Sequence, residues 1–254
     1  MKVDINCDMG ESFGAYTIGE DERIISFISS ANVACGYHAG DPMVMAKTVE
    51  LARGHGVAVG AHPGYPDLYG YGRRNLETLP GEIKNLVLYQ IGALQAFTKS
   101  FGLRLQHVKP HGALYNFAAK DEQAAGELIA AIKAYDPDLI LVTLAGSLCA
   151  SMASAAGLRV AREAFPDRAY LGNGQLAPRT MPGAVIHDIE EVKARVLKLV
   201  SSGKLTSIDG KEITLELDTL CIHGDTPGAW QLAGAVRKVL ESSGIRVVPM
   251  GVGK

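Results

Sequence analysis

The chain has 254 residues, 47% of them hydrophobic and 20% charged, with a formal net charge of −2, a composition that disfavours disordered, collagen-like and fibrous readings. So small a charge supplies no field for nucleic acid or anionic lipid, and no stretch approaches the roughly 18 apolar residues of a membrane helix. The first residues run straight into a strand pattern without a secretory leader, and the four cysteines form no CxxC pair, so the expectation is a cytoplasmic protein with reduced thiols that binds neither nucleic acid nor membrane.

From the N-terminus, short apolar runs alternate with amphipathic segments, the signature of parallel strands joined by crossover helices. The first strand is read at Val3 to Asn6 and the second at Asn32 to Cys35. Asp41-Pro42 then opens a helix, an N-cap followed by a proline whose missing N–H costs nothing at that position. A strand at Val57 to Ala61 precedes the clearest helix, Gly81 to Phe101. There Ile83, Leu86, Val87, Ile91, Leu94, Phe97 and Phe101 recur at three- and four-residue steps, and Gly102 supplies the stop. Strands follow at Gln106 to Lys109, Leu139 to Leu144 and Arg159 to Glu163. Asp188, Glu190 and Glu191 place negative charge at the start of a further helix, whose buried stripe is Val192, Val196 and Leu199. Leu205 to Leu217 alternates apolar and polar residues around Asp209-Gly210, a two-residue hairpin signal, and reads as an insertion. Thr219 to His223 is the last of seven strands and leads to a second proline-opened helix at Thr226-Pro227. Ile245 to Pro249 either closes the sheet or flanks it. With no repeat or linker, residues 1–254 read as a single β/α-barrel domain, near the roughly 250 residues typical of such barrels.

Residues two apart share a face of a strand, which separates site from core at the strand ends. Asn6 and Asp8 share a face, as do Cys221 and His223. His107, Lys109 and His111 point together provided Gln106 to His111 stays extended, which Pro110 favours. Ala58, Gly60 and His62 share another face, two small residues below a histidine, as the crowded inside of a barrel requires. Five of the seven histidines (His38, His62, His107, His111 and His223) fall at or just after strand C-termini, the catalytic end of a parallel barrel; His55 and His187 do not. Asp41 and Asp225 are read first as helix caps, and the cysteines as small buried apolar residues. Glu163 is either a site residue or half of a buried ion pair with Arg162 or Arg168.

The chain has no Gly-x-x-x-x-Gly-Lys-Ser/Thr loop and no strand followed by Gly-x-Gly-x-x-Gly, hence no recognisable cradle for ATP or a dinucleotide of its own. His107 and His111 have the spacing of a helical zinc pair, but Pro110 between them argues against a helix.

Four runs carry a family resemblance: Asp4-Ile5-Asn6-Cys7-Asp8-Met9-Gly10-Glu11-Ser12-Phe13-Gly14, Ala34-Cys35-Gly36-Tyr37-His38-Ala39-Gly40-Asp41-Pro42, Gly60-Ala61-His62-Pro63-Gly64-Tyr65-Pro66-Asp67 and Lys109-Pro110-His111-Gly112-Ala113-Leu114-Tyr115. With the later segments from Glu163 to Tyr170 and from Cys221 to Pro227, the chain closely resembles the LamB/YcsF family along its length. Phe165-Pro166-Asp167 departs slightly from the family's Phe-Ala-Asp.

The resemblance implies a seven-stranded β/α barrel related to the glycoside hydrolase and deacetylase group. It also implies ATP-dependent hydrolytic opening of 5-oxo-L-proline to L-glutamate by a multisubunit enzyme, with ATP as co-substrate of the complex and two further subunits as partners. On that reading Asp8 is the candidate base, His62 or His111 the acid on the leaving nitrogen, and Lys109 the stabiliser of anionic oxygen or phosphate. Arg179 would hold the substrate carboxylate, with Asn6, His38, Glu163 and His223 as further substrate-binding candidates. Two alternatives stay open: a metal-dependent deacetylase or amidase with Asp8, His38 and His62 or His111 as ligands of a divalent ion, and a substrate-binding subunit without chemistry.

Overall fold

A computed structural model of the chain describes residues 1–222, 224 and 228–252. His223, Asp225 and the helix start expected at Thr226-Pro227 lie outside the described residues.

In chain order the elements are β1 (Lys2–Met9), α1 (Asp21–Ile24), β2 (Ser30–Ala34), α2 (Pro42–His55), β3 (Ala58–His62), α3 (Glu82–Ser100), β4 (Leu105–Val108), α4 (Gly112–Ala118), α5 (Glu122–Tyr135), β5 (Ile140–Leu144), α6 (Leu148–Ala155), β6 (Arg159–Ala164), α7 (Ile189–Ser202), β7 (Lys204–Thr206), β8 (Glu212–Thr214), β9 (Thr219–Ile222), α8 (Ala229–Ser242) and β10 (Arg246–Val247). Seven strands close a parallel ring in the order β1, β2, β3, β4, β5, β6, β9, and β9 pairs back onto β1. Among the described residues no helix is long and apolar enough to cross a membrane.

Local chemistry accounts for the helix ends. Asp41 accepts from the Met43 and Val44 N–H groups ahead of Pro42, and Asp188 accepts from the Glu191 N–H to open α7, each satisfying donors that the first turn leaves orphaned. β4 ends at Val108, yet its ladder onto β3 continues: Lys109 N–H donates to the Ala61 carbonyl at 2.9 Å and His111 N–H to the Pro63 carbonyl at 2.8 Å. Pro110 between them has no N–H to give. The extended conformation expected through His111 is thereby present.

Two places differ from the sequence expectation in detail. The hairpin β7–β8 turns through Ile208, Asp209 and Gly210, with the Ser207 N–H donating to the Lys211 carbonyl at 2.8 Å. Its loop therefore has three residues and not two, a type I turn followed by a left-handed glycine. β10 takes the flanking option, pairing with Lys2 and Val3 of β1 outside the ring.

The ring separates two cores. Outside it, Val3, Ile5, Cys7 and Met9 of β1 join the apolar faces of the surrounding helices. Inside, only the bottom is apolar: Ile140, Val142, Ala161 and Met250 form a separate small cluster. Above it the interior is polar, because β1 turns Asp4, Asn6 and Asp8 to that side. Asp4 accepts from the hydroxyls of Ser29 at 2.7 Å, Ser30 at 2.6 Å and Thr219. One level higher, Asn32 donates to Asn6 at 2.7 Å and accepts from His107 Nε2–H at 2.8 Å. His107 fits there only because Gly60 faces it; a Cβ on Gly60 would overlap the imidazole ring.

Two measurements check this interior. Gly60→Ala forces His107 off its Asn32 bond in a packed layer and is expected to cost about 1–3 kcal/mol of stability in urea denaturation. Burial first, then the Lys109 charge, push the His107 imidazole down from its usual 6.5 to about 3. A folded value below the unfolded one means that the neutral ring's contribution is complete above pH 6.5 and is lost as pH falls towards 3. In that window one proton adds a slope of up to about 1.4 kcal/mol per pH unit. His107→Gln is expected to flatten the pH dependence of stability by up to that slope, read from denaturation midpoints across the window.

Candidate active site

At the carboxyl ends of the strands the polar interior gathers around one ammonium. Lys109 is 3% exposed, and its Nζ lies 2.9 Å from Asp8 Oδ1 and 2.9 Å from Glu163 Oε1. It also donates to Asn6 Oδ1 at 3.2 Å and approaches Cys221 Sγ at 3.1 Å. Four strands, β1, β6, β9 and the continuation of β4, thus meet at a single charge. Burial opposes that charge, but the carboxylates of Asp8 and Glu163 outweigh it and hold Lys109 well above the usual lysine range. Asn6 Nδ2 donates to Glu163 at 2.9 Å and Asn32 Nδ2 donates to Asp8 Oδ1 at 2.8 Å, so these carboxylates are fixed from two sides.

Beside this group stand three histidines and Glu11. Gly10, with φ of +68°, turns the chain after β1 through a conformation open to glycine and folds Glu11 back over the barrel mouth. The ring nitrogens and carboxylate oxygens of Glu11, His38, His62 and His111 that could bind a metal all lie within 4.8 Å of one another. His38 and His111 stack in parallel with centroids 3.7 Å apart. Tyr71 holds the cluster from above: its hydroxyl donates to Glu11 and its carbonyl accepts from His111 Nε2–H at 2.8 Å. Tyr71 does so at φ of +54°, which costs a side-chain-bearing residue about 1–2 kcal/mol. Burial, followed by neighbouring histidines, holds His38 and His111 well below the usual imidazole range, while burial raises the Glu11 carboxyl.

A cleft of about 1040 Å³ opens over these residues, lined by Asp8, Glu11, His62, Lys109 and His111 on one side and reaching Arg179 on the other. Asn6, His38 and Glu163 are fully buried and belong to the layer beneath that lining, where their contacts are protein groups. Glu163 pairs with Lys109 and not with either arginine. Arg162 faces Glu216 and Asp218, and Arg168 donates to the Ala177 and Ala184 carbonyls. His223 lies outside the described residues. Glu11 replaces Asp8 in the metal-competent set: Asp8 is engaged by Lys109 and Asn32, although its Oδ2 lies 3.4 Å from His62 Nε2.

A closed parallel ring whose strand ends bear a buried ammonium and a histidine-lined cleft defines a β/α-barrel protein with a polar cleft at the carboxyl ends of its strands. The chain belongs to the LamB/YcsF family, whose model matches residues 3–253. A protein from Syntrophobacter fumaroxidans, named as the A subunit of 5-oxoprolinase, is 71% identical over 99% of each chain. Another of that name from Pyrococcus horikoshii is 55% identical over 98% of each. The solved structure of a lactam utilization protein from Thermus thermophilus covers 98% of this chain and 99% of its own, with a TM-score of 0.94 and 54% identity.

Removing the central cation tests its structural role. Lys109→Met leaves Asp8 and Glu163 facing each other in a buried layer and is expected to cost about 3–5 kcal/mol. Adding Glu163→Gln to that variant is expected to recover part of the loss, read from denaturant midpoints.

Proposed function

We propose that this chain is the A subunit of a multisubunit, ATP-dependent 5-oxoprolinase, which opens 5-oxo-L-proline to L-glutamate, and that its cleft carries the hydrolytic step. The name shared by relatives covering nearly the whole chain supports the substrate and the assembly. The cleft supports the chemistry: Asp8 Oδ1 is occupied by Lys109 and Asn32, so the carboxylate is held rigidly and turns its other oxygen toward His62.

A lactam carbonyl is a poor electrophile. Transfer of the ATP γ-phosphoryl group to the amide oxygen makes the ring carbon attackable and turns that oxygen into part of a leaving phosphate. Asp8 takes a proton from the attacking water as the new C–O bond forms, then returns it to the ring nitrogen as the C–N bond breaks. Loss of phosphate by a second water leaves glutamate. Lys109 holds the Asp8 carboxylate in place through Oδ1 for the first transfer. His62 and His111 each give one N–H to a backbone carbonyl (Lys109 and Tyr71), which fixes both rings beside Asp8. Arg179, at the far side of the cleft, matches the substrate carboxylate.

Phosphoryl transfer needs a nucleotide cradle, and the chain has no recognisable one, so that step is assigned to the partner subunits. The purified chain alone is expected neither to hydrolyse ATP appreciably nor to open 5-oxoproline, and both activities are expected once the two partners are added. In that complex Asp8→Asn is expected to lower turnover by about 10²–10⁴-fold without loss of assembly. ATP-coupled turnover by the isolated chain, or near-normal activity of the Asp8 variant, would overturn the reading.

A further inference from the structure

His62 Nδ1 lies 2.7 Å from the Lys109 carbonyl, and His111 Nε2 lies 2.8 Å from the Tyr71 carbonyl. A carbonyl only accepts, so each of these nitrogens carries the proton. In a neutral ring the other nitrogen is then a bare lone pair. Those two, His62 Nε2 and His111 Nδ1, face each other at 3.0 Å. Two lone pairs at that distance repel unless an electrophile sits between or beside them. The Glu11 Oε1 atom, 3.5 Å from His111 Nδ1, adds an anionic oxygen beside this pair, and among the described residues those within ion-pair distance of Glu11 are His38 and His111. All three groups are largely buried, so the repulsion is weakly screened.

We propose that Glu11, His62 and His111 form a binding site for a divalent first-row metal ion of the zinc class. Ligand atoms about 2.1 Å from a tetrahedral centre are about 3.4 Å apart, close to the 3.0 Å between His62 and His111 and the 3.5 Å between Glu11 and His111, while the Glu11–His62 pair, within 4.8 Å, would have to draw in. Two imidazoles and a carboxylate are a catalytic zinc set, which leaves a fourth position for water. The backbone carbonyls of Lys109 and Tyr71 are the outer acceptors that ligating histidines require to fix tautomer and ring orientation. His38 lacks one: its Nδ1 is buried and finds no hydrogen-bond partner among the described residues. We therefore place it outside the ligand set, with Nε2 turned to Glu11 Oε1 at 3.4 Å. The three ligands line the cleft and His38 does not, so the open position faces the cleft, next to Asp8 Oδ2. On the ring-opening reading, that position would hold the attacking water beside its base; the binding of metal itself does not depend on that reading.

The test reads metal, not turnover. The full chain, stripped with chelator and dialysed, is titrated with Zn²⁺ and separately with Co²⁺. The expected result is one Zn²⁺ per chain by elemental analysis, an intense visible Co²⁺ spectrum of low coordination number, and a higher melting temperature with metal. Glu11→Gln and His111→Ala are expected to weaken binding at least 100-fold. His38→Gln is expected to retain one metal per chain, and His55→Ala, an exposed control, to match the wild type. Wild-type protein that is folded by circular dichroism yet binds neither Zn²⁺ nor Co²⁺ stoichiometrically would overturn the proposal even if a variant failed to fold, and so would undiminished binding by both ligand variants. If metal binds but the complex turns over without it, the site stands and its part in ring opening falls.

Discussion

The arrangement depends on keeping one ammonium ion charged where almost no water reaches it. Moving a lysine from water into a protein interior costs several kcal/mol, and the cost is offset only by close, well-oriented opposite charge and hydrogen bonding. Lys109 obtains this from Asp8, Glu163 and Asn6 together. The acceptors come from β1 and β6, while the ammonium arrives from the continuation of β4, so the ring must be closed and in register for the charge to be matched. Fold and site are therefore coupled: a register slip by one residue on β1 would turn Asn6 and Asp8 out of the barrel and leave the lysine unpaired.

Most of the fold was legible because its signals are local and periodic. The strand positions, the Asp41-Pro42 and Asp188 helix starts and the long helix α3 follow from alternation, capping and three- and four-residue spacing. The facing of Asn6 with Asp8, and of His107 with Lys109 and His111, follows from the two-residue repeat of extended chain. Glu11 escaped that logic because the repeat ends at Met9: Gly10 takes a left-handed turn, and no periodicity says where the next side chain goes. The only sequence signal was an acidic residue inside a glycine-rich loop directly after a strand. Nor could spacing show that Glu163 would choose Lys109 over Arg162 or Arg168, since that choice is made by pairing across the barrel. Arg168 looked available in the sequence and is instead consumed by two carbonyls of its own loop.

The distribution of apolar residues also explains where the cleft can be. Ile140, Val142, Ala161 and Met250 block the bottom of the ring, and the hydroxyl-bound Asp4 layer fills the space above them. The large cleft therefore opens at the strand carboxyl ends, where the loops carrying Glu11, Arg73 and His111 line it.

β1 carries two kinds of requirement in alternate residues. Its odd positions, Val3, Ile5, Cys7 and Met9, look outward into an apolar layer, where volume matters more than identity and one aliphatic side chain can stand in for another. Its even positions, Asp4, Asn6 and Asp8, are each bound to at least two groups on or next to other strands. A change there leaves several donors or acceptors unanswered at once, so no single replacement is neutral and a new residue would need simultaneous changes on neighbouring strands. Along this one strand, the freedom of the sequence to drift should therefore switch on and off with every residue.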